Sequence, residues 1–124
     1  MYDTPPAYRP GMCPFCDRIE RGEYEITWRQ DVVRFQPLNP VTPGHMLFLP
    51  AEHAEHPSPF LLAASMEAAS RYAEPNEFYN LITSSGTAAT QTVPHLHVHY
   101  VPRTEGDGLH LPWTGQQPAD ENGA

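Results

Sequence analysis

Three histidines occupy alternate positions late in the chain. His95, His97 and His99 are separated by Leu96 and Val98. Side chains alternate between the two faces of a β-strand, so the pattern predicts three imidazoles on one face and apolar side chains on the other. Alternate residues of a strand lie about 6.6 Å apart and the outer pair about 13 Å apart, whereas a metal–nitrogen bond is about 2 Å long. We therefore expect His95 and His99 to have separate tasks.

The segment before these histidines has the composition of an anion-binding loop. Residues 86–92 are small and polar and end in Gln91 and Thr92. Such a loop can place backbone N–H groups and a hydroxyl around an anion. An imidazole that faces the anion can act as a nucleophile at phosphorus or as a general acid or base. The pattern favours phosphoryl chemistry over two alternatives, a metal site built from neighbouring histidines and a set of surface histidines.

The two cysteines form one C-x-x-C motif, Cys13 and Cys16. A tetrahedral zinc site needs four ligands, and two of His53, His56 and His95 can supply the other pair. A redox motif belongs at the head of a long helix that follows a strand, whereas Cys13 precedes every predicted strand. The sequence therefore favours structural zinc, with free thiols or a redox pair as the alternatives.

The composition narrows the classes of function. The 124 residues contain seven basic residues, all arginine, against fifteen acidic ones, which gives a net charge of -8. This charge argues against a protein that binds a nucleic acid polymer, and the absence of lysine excludes a P-loop or Schiff-base lysine. No run approaches the roughly 20 apolar residues of a membrane span, and the first residues do not resemble a signal peptide. We expect a cytoplasmic protein of one domain, with no membrane partner.

The elements that must position these residues indicate an α+β fold. Fifteen prolines and eight glycines predict short elements and sharp turns. We predict a short turn or helix over 13–21, strands over 24–28, 32–36, 45–49, 78–83 and 93–101, loops over 37–44 and 84–90, and a main helix over 59–72 capped by Ser58. The result is a mostly antiparallel sheet with one main helix in a domain over 13–113. Residues 1–12 are expected to form an arm and 114–124 a disordered tail.

Three segments resemble the histidine triad (HIT) family. They are C-P-F-C at 13–16, P-G-H-M-L-F-L-P at 43–50 followed by His53, and Q-T-V-P-H-L-H-V-H at 91–99 followed by Pro102 and Arg103. They occur in the order of the family, cover the chain from about residue 13 to residue 103, and the last is highly specific. The resemblance implies a HIT-like α+β domain, usually a homodimer, that binds a purine nucleotide or nucleotide conjugate and hydrolyses or transfers nucleotidyl groups.

The resemblance also implies a role for each site residue. His97 is the expected nucleophile, which attacks the α-phosphorus and forms a nucleotidyl-histidine intermediate. His99 is expected to hydrogen-bond a phosphate oxygen, and His45 to support the site. The residues expected to line the nucleotide and phosphate pocket are Leu38, Asn39, Ser84, Gly86, Gln91, Thr92 and Trp113. As in the zinc-containing members, structural zinc is expected on Cys13, Cys16, His53 and His95.

Some residues admit a second interpretation. Trp113 can stack on a base or pack against the sheet, and Arg103 can contact phosphate or form a solvent-facing salt bridge. Pro37 stands where family members often carry an acidic or amide residue that contacts the ribose, Ser84 stands where asparagine is usual, and Thr92 replaces serine. These departures motivate the alternative of a regulatory nucleotide-binding protein with little catalysis.

A cupin-like metal oxygenase is the third hypothesis. Its iron site needs a glutamate three or four residues after an H-x-H pair. The nearest glutamate, Glu105, lies six positions after His99, and the predicted strands are few. The sequence therefore favours a HIT-like enzyme over a cupin.

Overall fold

Five strands form one antiparallel sheet in the computed structural model, which describes residues 13–56 and 58–113. In chain order the strands are β1 (Glu25–Ile26), β2 (Val32–Phe35), β3 (Met46–Pro50), β4 (Tyr79–Thr83) and β5 (Val98–Pro102). Their order across the sheet is β1-β2-β3-β5-β4. The helices are α1 (Pro14–Glu20), α2 (Pro59–Ala73) and a 3₁₀-helix over Thr87–Ala89. The predicted α+β fold is confirmed, whereas the predicted arm over 1–12 and tail over 114–124 lie outside the described residues.

Helix α2 begins where the sequence predicts it. The hydroxyl of Ser58 accepts a hydrogen bond from the Leu61 N–H at 3.1 Å, and Pro59 takes the first helical position, where no N–H is needed. The helix buries a face of small side chains, which lets its backbone approach the sheet closely. This core consists of Ala64, Ala68, Ala69 and Ala73 from the helix with Val32, Phe48, Val98 and Tyr100 from the sheet.

Helix α1 lies against the opposite face of the sheet. Cys13 is its N-cap, with the Cys16 N–H donating to the Cys13 sulfur at 3.3 Å, and Gly22 follows its end with a positive φ of 75°. Phe15 and Ile19 pack here on a second cluster formed by Val33, Phe35, Leu47 and Leu49. The cysteine motif is therefore held on one face of the sheet, and α2 covers the other.

The strand predicted over 93–101 is wrong in its first half. Strand β5 begins only at Val98, because the preceding backbone bonds elsewhere. The His95 N–H donates to the Val93 carbonyl at 2.7 Å, and the Leu96 N–H donates to the Ala54 carbonyl at 2.6 Å. Of the three alternating histidines, only His99 lies within the strand.

Two further differences concern the edges of the predicted elements. The strand predicted over 24–28 is reduced to Glu25–Ile26 at the edge of the sheet, and the loop predicted over 84–90 contains the 3₁₀-helix. Within the described residues, no helix combines the length and the apolar character that crossing a membrane requires.

Candidate active site and metal centre

The three histidines share one side of the sheet. On β5, Val98 and Tyr100 belong to the core beneath α2, so His99 between them faces the side on which α1 lies. The ring of His97 lies next to that of His99, with 5.0 Å between the ring centroids. Phe15 of α1 points its ring edge toward His97, also at 5.0 Å between centroids. The side chains therefore keep a common face even though two of them precede the strand.

The protonation of His97 follows from its hydrogen bond. Its Nδ1 lies 2.7 Å from the His95 carbonyl oxygen, and a carbonyl can only accept, so Nδ1 carries the proton and Nε2 the lone pair. Burial lowers the pKa of His97, partly opposed by this same bond, and the ring is therefore neutral at neutral pH. The Thr83 hydroxyl donates to the His97 carbonyl at 2.7 Å and anchors the backbone. His97 thus presents a buried, neutral nitrogen with a free lone pair.

His45 and His99 form a second hydrogen-bonded unit. The Val41 N–H donates to Nδ1 of His45 at 3.1 Å, so the proton of the neutral His45 ring resides on Nε2. That Nε2 lies 2.9 Å from Nδ1 of His99 and donates to it. Burial lowers the pKa of both rings. The pKa of His99 falls to about 4, chiefly through burial and further through the neighbouring His97 and His45. His99 therefore carries its own proton on Nε2, where it can serve as a donor.

A cluster of cysteine and histidine side chains lies beside the triad. Its members are Cys13, Cys16, His53 and His95, whose ligand atoms all lie within 4.8 Å of one another. Cys16 Sγ lies 3.3 Å from His53 Nδ1, and Cys13 Sγ lies 3.4 Å from His95 Nδ1. His56, which the sequence left as an alternative ligand, is exposed and is not part of the cluster. The cysteine–histidine cluster is a possible metal site.

The chemistry of the cluster suits a divalent cation. Nε2 of His95 donates to the Pro50 carbonyl at 2.9 Å, which leaves the lone pair on Nδ1, the atom that faces both sulfurs. Burial lowers the pKa of His95 to about 4, so this ring is neutral. Burial raises the pKa of the Cys16 thiol to about 12, with Cys13 adding to the effect. Two thiolates at this position need a positive charge between them, and Cys₂His₂ is a set that zinc prefers.

The loop before the histidines is closed by Gln91. Its Oε1 accepts from the Gly86 N–H at 2.7 Å, and its own N–H donates to the Gly86 carbonyl at 3.1 Å. Its Nε2 donates to the carbonyls of Val93 at 3.0 Å and Glu55 at 3.3 Å. Thr92 is exposed and Ser84 half-buried. The amide of Gln91 is thus engaged with the backbone.

The remaining residues predicted for the nucleotide pocket lie at the surface. Leu38 is 85% exposed and Asn39 is exposed, both in the loop between β2 and β3. Trp113 is 63% exposed, which argues against its packing on the sheet. These three side chains are accessible to a ligand.

Arg103 forms a salt bridge, as one of its two interpretations predicted. Its guanidinium makes two hydrogen bonds to the Asp107 carboxylate, at 2.7 and 3.0 Å, and one to the Asn80 side-chain oxygen at 2.7 Å. The Asp107 side chain is only 9% exposed, so the pair is largely shielded rather than solvent-facing. The side chain therefore anchors the segment after β5.

Sequence reasoning missed Phe15 and Thr83, which contact the ring and the backbone of His97. The available signal for Phe15 was its position inside the C-x-x-C motif, because a metal bound by the two cysteines would hold the residues between them in place. Thr83 ends a predicted strand and offered no comparable signal.

Comparisons with known proteins agree on one family. The model of the HIT domain matches residues 25–106. The adenosine 5'-monophosphoramidase HNT1 of Saccharomyces cerevisiae is 31% identical over 121 residues, which cover 90% of this chain and 76% of that protein. The adenylylsulfatase HINT3 of Arabidopsis thaliana is 32% identical over 109 residues, 78% of this chain and 55% of the relative. The crystal structure of a zinc-bound histidine triad family protein from Mycobacterium smegmatis superimposes with a TM-score of 0.65 at 29% identity, covering 80% of each chain.

Proposed function

The chain belongs to the HIT domain family, and from this premise we propose that it hydrolyses or transfers nucleotidyl groups with His97 as the nucleophile. One observation carries the proposal: the 2.7 Å hydrogen bond from Nδ1 of His97 to the His95 carbonyl leaves Nε2 unprotonated in a buried, neutral ring. The names of two relatives, an adenosine 5'-monophosphoramidase and an adenylylsulfatase, support a substrate in which a nucleotidyl phosphate carries a leaving group.

The reaction proceeds in two displacements. Nε2 of His97 attacks the α-phosphorus, the new N–P bond forms, and the leaving group departs with its bonding electrons and takes up a proton. Water or another acceptor then attacks the same phosphorus and loses a proton, the N–P bond breaks, and the lone pair returns to Nε2, so that the second step releases the proton that the first consumed. The half-buried Phe15 ring restricts the imidazole on one side, so the nucleophile is held in one orientation.

His99 stabilises the negative charge on the phosphate. Because His45 donates to Nδ1 of His99, the remaining proton of His99 sits on Nε2 and is available to a phosphate oxygen. The loop before the triad completes the anion site with the Thr92 hydroxyl and with those backbone N–H groups between Ser84 and Thr92 that no bond within the loop uses, and Gly86 allows the sharp turn. The chain has no lysine that could add a positive charge to this site. The side chains proposed to meet the purine nucleoside are Leu38, Asn39 and Trp113.

Zinc is the metal we propose for the cysteine–histidine cluster. Two thiols and two imidazoles supply all four ligands of a tetrahedral ion, which leaves no position open to substrate, so the ion contributes structure and not a reaction step. Because His95 is one of the four ligands, the three histidines have different tasks: His95 binds the metal, and His97 and His99 act on the substrate. The homodimer and the cytoplasmic location stay predictions.

A substrate panel tests the proposal. Nucleoside phosphoramidates, dinucleoside polyphosphates and nucleotide sugars are incubated with the wild type, with His97→Ala and with His110→Ala, a variant of an exposed histidine outside the site. We expect turnover of at least one class, a loss of about 1,000-fold or more in His97→Ala, and no loss in His110→Ala. Mass spectrometry of the acid-labile intermediate after rapid quenching should find the nucleotidyl group on His97.

Two outcomes contradict the proposal. Nucleotide binding without turnover across all three classes indicates a regulatory protein on the same scaffold. A His97→Ala variant that has lost its metal as well as its activity contradicts the division of labour between His95 and His97.

A further inference from the structure

The side chain of Gln91 joins two nearby backbone groups, at Gly86 and Val93, to a third that lies 36 residues away at Glu55. Its Oε1 accepts from the Gly86 N–H, while its Nε2 donates to the carbonyl of Val93 and to that of Glu55. Both atoms of the amide are used, and all three partners are backbone groups. A terminal amide that supplies one acceptor and two donors matches this arrangement fully. The side chain therefore acts as a fixed bracket between these backbones.

One end of the bracket holds the loop that carries a ligand of the cysteine–histidine cluster. Glu55 lies two residues after His53, and its carbonyl accepts from Gln91 at 3.3 Å. The carbonyl of Ala54, between them, accepts from the Leu96 N–H at 2.6 Å. A metal bound through His53 would thus restrain this loop. The carbonyls of the next two residues, Ala54 and Glu55, accept hydrogen bonds from Leu96 and Gln91.

The other end holds the loop that precedes the triad. Gly86 bonds to Gln91 twice, through the 2.7 Å contact with Oε1 and through the 3.1 Å bond from the Gln91 N–H. The Val93 carbonyl, which Gln91 also holds, accepts from the His95 N–H at the turn into the histidine segment. The position of the Gln91 amide therefore decides the shape of the loop over 86–93.

We infer that Gln91 is a positioning residue that couples the cysteine–histidine cluster to the loop over 86–93, named the phosphate loop below. Through this coupling, Zn²⁺ at the cluster and a nucleotide at the triad strengthen each other's binding. The inference rests on the proposed function, because it requires a nucleotide at His97 and His99. When the metal holds the His53 loop, the Glu55 carbonyl stays in place and keeps its hydrogen bond from Gln91. Without metal this loop gains freedom, and a nucleotide must order it on binding at a cost in affinity.

Linkage makes the coupling measurable. If Zn²⁺ raises the affinity for a nucleotide by some factor, the nucleotide must raise the affinity for Zn²⁺ by the same factor. We propose to measure Zn²⁺ affinity by competition with a chromogenic chelator, with and without saturating AMP. We expect AMP to tighten Zn²⁺ binding about fivefold or more in the wild type. Calorimetric titration of AMP into zinc-loaded and chelator-stripped protein should return the same factor.

Two substitutions of Gln91 separate coupling from folding. Gln91→Met keeps the length of the side chain and removes its hydrogen bonds, and Gln91→Glu keeps the acceptor for Gly86 but sets a carboxylate against two carbonyls. We expect the coupling factor to fall to about one in both. The same two substitutions at Gln30, an exposed residue in the turn between β1 and β2, should preserve it. A merely structural role for Gln91 would shift both affinities without changing their coupling.

The outcomes distinguish this inference from the function on which it rests. AMP that binds the wild type without affecting Zn²⁺, or a coupling factor that survives in Gln91→Met, overturns the bracket. If thermal denaturation shows that Gln91→Met does not fold, Gln91→Glu takes its place, and a coupling factor that survives in Gln91→Glu overturns the bracket. Failure of AMP to bind the zinc-loaded wild type instead overturns the proposed function.

Discussion

Nε2 of His45 lies 2.9 Å from Nδ1 of His99, and this contact fixes the proton of each ring. The register of the sheet brings the two residues together across 54 positions, because Leu47 of β3 pairs with His99 of β5 and His45 lies two residues before Leu47. On the other side of the His45 ring, the Val41 N–H donates a hydrogen bond to Nδ1. A backbone donor therefore determines, through two imidazoles, which nitrogen of His99 carries the proton.

Removal of His45 should slow the reaction without disturbing the metal. In His45→Ala the His99 ring loses its donor, so the proton can move to Nδ1 and leave Nε2 unable to serve the phosphate. We expect a decrease of about 10- to 100-fold in kcat/KM, the size typical of losing a partner that orients a functional histidine. Steady-state kinetics on the substrate found in the panel provides the measurement.

The conservative variant His45→Gln serves as the control for that decrease. A glutamine amide can donate to Nδ1 of His99 and should restore part of the activity. Zinc content should match the wild type in both variants, whereas the melting temperature should fall in His45→Ala, which empties a buried, hydrogen-bonded position. An unchanged kcat/KM in His45→Ala would show that the ring of His99 is oriented by other contacts.

The neutral state of His99 should make stability depend on pH. Its pKa is lowered from 6.5 to about 4 in the folded protein, because burial and the neighbouring His97 and His45 disfavour the imidazolium. Between these values the unfolded chain binds a proton that the folded chain does not, so the free energy of unfolding decreases as the pH falls from 6.5 to 4. The stabilisation is complete above pH 6.5, and about 1–3 kcal/mol of it should be lost on acidification.

Urea denaturation at pH 7 and pH 4.5 measures this loss. His99→Asn, studied in parallel with zinc held saturating, lacks the titrating ring and should show a flatter dependence on pH over the same window. The attribution to His99 is wrong if the two proteins lose equal free energy on acidification.

Two histidines three residues apart should differ completely in their effect on metal content. His53 belongs to the cysteine–histidine cluster and His56 is exposed outside it. His53→Ala should bind zinc weakly and melt at a lower temperature, because metal binding contributes directly to folding free energy. His56→Ala should retain one zinc per chain and the melting temperature of the wild type. Elemental analysis after dialysis, with thermal denaturation, checks both, and similar metal loss in the two variants would exclude the assigned ligand set.

Local pattern was sufficient to predict much of this fold. The cap of α2 at Ser58, the buried strand after His45 and the turn at Gly22 depend on nearby residues, and each was found close to its predicted position. The α+β fold and the HIT family are confirmed. The finer assignments of nucleophile and phosphate ligands stay predictions, because no contact with a substrate tests them.

The errors arise where distant backbone groups compete with local pattern. Alternation predicted a strand through His95 and His97, but Leu96 bonds to Ala54 and Pro94 has no N–H to offer a sheet. The bracket formed by Gln91 depends on a carbonyl 36 residues away. Neither partner is visible in a short window of sequence, so the backbone conformation of the histidine segment could not be predicted from local pattern.

Strain in the phosphate loop should be measurable at Thr90. Thr90 has a φ of 69° and is, within residues 13–56 and 58–113, the sole non-glycine residue with a positive φ. A β-branched residue in this conformation costs about 1–3 kcal/mol, which glycine does not incur, although glycine also adds entropy to the unfolded chain. We expect Thr90→Gly to raise the free energy of unfolding by about 1 kcal/mol net. Thr87→Gly, three residues earlier at a position without a positive φ, should lower it, and urea denaturation of both proteins tests the contrast. If both substitutions destabilise the protein equally, the positive φ of Thr90 stores no measurable strain.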